Sequence, residues 1–159
     1  MNGVKEEQID IDKHQEAFLK GCDSVPLKIR TGTKETLEAL KQKGIRLAVH
    51  TAHVRTIVEE KLKELGIFEY FDAIDAADGI KNAGSKSFKD ASYLKKELGI
   101  TNPEEVLFIG DMVIDIAVAK ENGYISAVFS DGWQAKELLE AAHPYHFLKE
   151  FSDILNLVK

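Results

Sequence analysis

A single cysteine, Cys22, in 159 residues excludes an intrachain disulfide and any metal site built from several thiolates of one chain. No apolar run is long enough to cross a bilayer, and the opening MNGVKEEQIDID holds no apolar core of signal-peptide length. Repeats, low-complexity tracts and proline- or glycine-rich linkers are also missing, so only alternation of pattern divides the chain. Positive charge is in deficit, with a net charge of -6. That balance argues against general attraction to nucleic acid or to anionic membrane surfaces, both of which need cationic patches. A phosphate-bearing partner must therefore be gripped by a local site. A reducing, cytoplasmic setting is the expectation.

What is present is an ordinary globular composition, 44% hydrophobic and 30% charged, on a chain of single-domain length. Residues 11–20, IDKHQEAFLK, carry Ile11, Ala17 and Phe18 at helical spacing. From Thr33 a regular cycle begins. TKETLEALKQKG is expected to be a helix capped by Thr33 and ended by Gly44, with Leu37 and Leu40 on one face. IRLAVHT reads as a strand and AHVRTIVEEKLKELG as a helix. A short strand follows around Ala73 to Ala76, then the helix SFKDASYLKKELG, the strand EEVLFIG, the helix DIAVAKENG and the strand ISAVFS. WQAKELLEAA and FLKEFSDILNLV are expected to be helical, with His143 and His146 in a loop between them and Trp133 packed at a helix start. This alternation predicts an α/β fold, a three-layer Rossmann-like parallel sheet with helices on both faces. In such sheets ligands bind along the rim where the strands' carboxyl ends lie. His50 and Thr51, Asp75 and Asp78, Asp111, and Ser130 with Asp131 all fall at strand ends.

Three stretches on that rim could do chemistry, and each also has a plainer explanation. Thr51, with the amides of Ala52 and His53 at a helix start, could hold an anion, or Thr51 could be an ordinary cap. Asp111 and Asp115, four apart at a strand-to-helix turn in GDMVIDIAVAKENG, could share a hard cation such as Mg²⁺, or simply cap the helix. Lys86, in the loop NAGSKSFKD, could neutralise an anion or be a solvated charge.

Taken in order, LAVHTA, Lys86 and GDMVIDIAVAKENG resemble the second, third and fourth motifs of the haloacid dehalogenase superfamily, in its phosphoglycolate-phosphatase-like subgroup. The resemblance extends through GTKETLEALKQKGIRLAVHTA and LKELGIFEYFDAI and covers residues from about 26 to the end. It implies phosphoryl transfer from a small phosphorylated metabolite, with Thr51 and Lys86 in catalytic positions, Thr51, Ala52, His53 and Lys86 on the substrate phosphate, and Asp111 and Asp115 at Mg²⁺. Receiver domains also bring Asp, Thr and Lys together, but in a different chain order.

The family's nucleophile motif, Asp-x-Asp after an apolar strand, has one candidate, Asp10 and Asp12 in QIDIDKH. The preceding VKEEQ is no buried strand. In the family's sheet that strand lies between those of the second and fourth motifs, so its loss would leave the edges beside Val49 and Phe108 unpaired. The expectation is a core over residues 26–159, preceded by a cap-derived helix within residues 1–25, in a truncated or split hydrolase. An irregular replacement strand, a second polypeptide or self-association could complete the sheet. A non-catalytic binding or assembly domain on the same scaffold is the alternative.

Overall fold

The computed structural model describes residue 21, residues 27–78 and residues 91–158. The expected helix at 11–20, Asp10, Asp12, Cys22 and Lys86 lie outside the described residues.

Helix α1 (Thr33–Gln42) buries Thr33, Thr36, Leu37 and Leu40, the spacing of a single helical face. Gly44 then adopts φ +74°, and the Ile45 amide returns to the Leu40 carbonyl at 3.0 Å. This closure satisfies terminal carbonyls and needs a residue that tolerates the left-handed region. Thr33 is not the cap. Gly32 occupies that place without a side-chain bond, and the Thr33 hydroxyl bends back to donate to the Arg30 carbonyl at 2.7 Å.

Strand β1 (Ala48–Val54), helix α2 (Arg55–Glu64) and strand β2 (Ala73–Ala77) follow, then helix α3 (Ser92–Glu97) and strand β3 (Leu107–Gly110). Helix α4 (Val113–Asn122), strand β4 (Ile125–Phe129), helix α5 (Lys136–Ala141) and strand β5 (His146–Leu148) complete the alternation. All pairings are parallel.

The strands form two groups, β1 with β2 and the order β3-β4-β5. Among the described residues no strand pairs β1 to β3, the strands that carry Val49 and Phe108. Alternate residues of β4 serve two cores. Ala127 and Phe129 pack with Leu40 of α1, Leu148 and Ile154. Val128 faces the other way, onto Ile116 of α4 and Leu139 of α5. Helices therefore cover both faces.

Two elements depart most from expectation. The segment read as one closing helix is strand β5, registered as Ala127↔His146 and Phe129↔Leu148, followed by a 3₁₀ turn over Phe151–Asn156. The Asp153 carboxylate accepts the Lys149 and Glu150 amides at 2.8 and 3.0 Å, which separates strand from turn. His146 thus lies on a strand, while His143 lies in the loop before it at φ +51°. The second departure is at α2, which starts at Arg55 because β1 runs on to a buried Val54.

Candidate functional site

The prolongation of β1 creates the first feature of the rim. His50 pairs in register with Asp75, and the next pair is Val54 with Ala77. Thr51, Ala52 and His53 therefore stand opposite Ala76 alone, a bulge of the kind that re-aims backbone beside active sites. The Thr51 hydroxyl oxygen accepts the His53 amide at 3.2 Å, so the bulge is braced by its own threonine. The anticipated helix start at Ala52 and His53 is absent, and backbone that was expected to gain from a helix dipole is instead a bulged strand end.

The second feature is the turn from β3 into α4. Asp115 Oδ2 accepts the amides of Asp111 and Met112 at 3.0 and 2.9 Å. Asp111 Oδ2 accepts the Trp133 amide at 3.0 Å. Burial, the largest influence, raises the Asp115 pKa above the ordinary carboxylate value; the Met112 and Asp111 amides oppose it, the Asp111 charge adds to it, and His50 works against it. Gly110 is required here because a Cβ at that position would collide with the Asp115 side chain. Asp115 is therefore first a structural acceptor that folds the turn.

Each of these carboxylates has its Oδ2 engaged and its Oδ1 without a hydrogen-bond donor among the described residues. Two hard oxygen donors on one turn suit Mg²⁺, which binds through one or two carboxylates and retains waters. No cluster of three or more His, Cys, Asp or Glu side chains suited to a metal occurs among the described residues.

A contact between β1 and β3 joins the two features. The His50 ring meets Phe108 of β3 edge-on, centroids 5.7 Å apart. His50 Nδ1 bonds Asp75 Oδ2 at 2.7 Å, with both side chains buried. Its Nε2 is buried without a hydrogen-bond partner among the described residues. The residue before Thr51 therefore packs on the strand that ends in the Asp111 turn. Lys86 is not placed by this geometry, since it lies outside the described residues.

Sequence reasoning did not find the cleft beside Asp111. It is open, about 460 Å³, and lined by Arg30, Asp111, Asp131, Gly132 and Trp133. Arg30 grips Asp131 through two bonds of 2.8 and 3.0 Å and lies 4.4 Å from the Phe129 ring centroid. The Asp131 hydrogen bond, the largest influence, raises the Arg30 pKa further above its ordinary value. Trp133 is 92% exposed, not packed at a helix start. Only the polar residues at the end of β4 signalled this region in the sequence.

A family model described as haloacid dehalogenase-like hydrolase matches residues 4–123. The chain belongs to the haloacid dehalogenase-like hydrolases. Within this hydrolase family, a phosphoglycolate phosphatase of Pectobacterium atrosepticum is 35% identical over 79% of the chain and 53% of its own length. Pyrophosphatase PpaX of Halalkalibacterium halodurans is 28% identical over 80% of the chain and 58% of its own length. The chain thus spans little more than half the length of these curated relatives. A crystal structure of a predicted phosphoglycolate phosphatase from Haemophilus somnus superposes with a TM-score of 0.78 at 26% identity, covering 97% of this chain and 68% of that one. The α/β architecture of this haloacid dehalogenase-like hydrolase agrees with these neighbours. No helix among the described residues is long and apolar enough to cross a membrane.

Proposed function

We propose that the chain is the phosphate- and metal-binding part of a Mg²⁺-dependent phosphatase that hydrolyses a small phosphoric monoester in the cytoplasm. The observation that carries this reading is the His50–Phe108 contact, which sets the Thr51–His53 bulge against the strand leading to Asp111. Thr51 and the amides of the bulge hold the phosphate, Lys86 neutralises it, and Asp111 with Asp115 holds the ion. Magnesium, when bound, supplies charge stabilisation at the phosphoryl oxygens. The chain's own residues orient the ester and exclude water from its charged end.

No described residue is assigned as nucleophile. Among the described residues no strand pairs β1 to β3, which favours a second reading, a non-catalytic binding or assembly domain on the same scaffold. Hydrolysis of para-nitrophenyl phosphate by the purified chain, with and without Mg²⁺, separates the two. The first reading expects Mg²⁺-dependent turnover that Asp111→Asn and Thr51→Ala each reduce at least about 100-fold, the scale of losing one electrostatic contact in the transition state. Loss of turnover in Asp10→Asn, with impairment in Asp12→Asn, would place the nucleophile in QIDID. Absence of turnover even with an added N-terminal fragment leaves the scaffold reading in possession.

A further inference from the structure

Trp133 is the only tryptophan in the chain, and it stands in solvent although the loop bearing it is tightly held. Its own amide donates to Asp111 Oδ2 at 3.0 Å, and on its other side Gln134 Oε1 accepts the Val113 amide. Gly132 lies so close to Asp111 that any Cβ there would strike the carboxylate. The loop is thus fixed to the β3–α4 turn on both sides of an indole that is 92% exposed. Solvated indole forgoes a large burial gain, and tryptophan is enriched where partners bind.

The charges of the cleft narrow what that indole can meet. Arg30 is the only cation among the described residues lining it, and both arms of its guanidinium that face Asp131 are engaged. Asp111 and Asp131 add negative charge at the same mouth. A leaving group carrying a carboxylate or a second phosphate would find Arg30 already paired with Asp131 and no other cation among the described lining residues to receive it. An uncharged planar group would meet the face of an aromatic ring.

We propose that this cleft is the leaving-group subsite and that Trp133 is its stacking platform, selecting phosphate monoesters of aryl or nucleobase-bearing alcohols over small acidic ones. The inference rests on the reading of Asp111 as part of the phosphate and metal site. A phosphoryl group held at the Asp111 turn would leave its organic substituent beside Trp133.

The sole tryptophan makes the test direct. Phenylphosphonate and phosphonoacetate, whose P–C bonds are not hydrolysed, are titrated into the full chain with Mg²⁺, alongside inorganic phosphate, by calorimetry and by Trp133 fluorescence. Phenylphosphonate is expected to quench the fluorescence saturably and to bind about tenfold more tightly than phosphonoacetate, within the range of base–aromatic stacking. Trp133→Ala should remove that preference while shifting inorganic phosphate affinity less than about twofold; Trp133→Phe should retain most of it. Equal affinities for the two phosphonates, or a preference that survives Trp133→Ala, would overturn the proposal. Failure of inorganic phosphate to bind at all is a distinct result, which removes the phosphate-site reading and this inference with it.

Discussion

Replacing the buried His50–Asp75 pair tests whether it is held by mutual dependence. The two side chains are 7% and 3% exposed, joined at 2.7 Å, and set side by side by the β1–β2 register. Asp75→Val removes the acceptor of Nδ1 and leaves an imidazole whose Nε2 already has no partner among the described residues. Stranding one buried polar group costs about 1–3 kcal/mol, so about 2 kcal/mol is expected. His50→Leu deprives Asp75 of its bond to the imidazole, at a similar cost of about 2 kcal/mol. The double variant replaces both polar groups with apolar ones, and such exchanges are close to neutral or stabilising. Its cost is expected to fall roughly 3 kcal/mol short of the sum of the two single losses, because the further contact of Asp75 is lost equally in Asp75→Val and in the double variant. Urea unfolding followed by circular dichroism at constant pH measures all four proteins. Additive losses, with the double variant as unstable as the two single losses summed, would refute the argument.

Other expectations follow the same logic. Tyr124 is 4% exposed and its hydroxyl has no hydrogen-bond partner among the described residues, while its ring stacks on Phe108. Tyr124→Phe should therefore leave the urea midpoint unchanged or raise stability by up to about 1 kcal/mol; a clear loss would show that the hydroxyl has a role. Asp72 accepts from Lys41 Nζ at 2.6 Å and from the Leu47 amide at 2.7 Å. Burial alone would raise its pKa, but the Lys41 bond, the Leu47 amide and the charges of Lys41 and Arg46 together lower it. Its contribution is then present above the unfolded carboxylate pKa, near 4, and is lost as pH falls through the lower folded value. Asp72→Asn should cost about 1 kcal/mol or less at pH 7, given solvent screening. Its stability should begin to converge on the parent's as pH falls past about 4 and meet it below the lower folded value, as read by thermal melts across pH; a constant gap would count against the ion pair.

The helices were legible where glycine stopped them, at Gly44, Gly66, Gly99 and Gly123, all of which have positive φ. The apolar strand before Asp111 was equally plain. Residues 52–54 misled because AHV sits between a strand and a strongly helical run, and only pairing with Ala77 shows that the strand continues. HFL is too short for periodicity to reveal; it becomes β5 because β4 offers an edge to it. His50 and Asp75 were visible as polar residues at strand ends, yet their union depends on register, which a lone sequence does not display. The Asp111–Asp115 turn was read for its ligands. The structure adds that Asp115 also builds the turn, through bonds to backbone amides.

Among the described residues β1 and β2 share no ladder with β3, β4 and β5, and this bears on how cooperatively that part of the molecule unfolds. Each ladder joins strands that are consecutive in the chain, so each can zip without waiting for the other. Helix α1 precedes β1 yet packs on the C-terminal 3₁₀ turn, and Leu40 sits among residues of β4 and β5. It acts as a latch between early and late portions of the polypeptide. Opening that latch would let the two ladders exchange their amide protons as separate foldons.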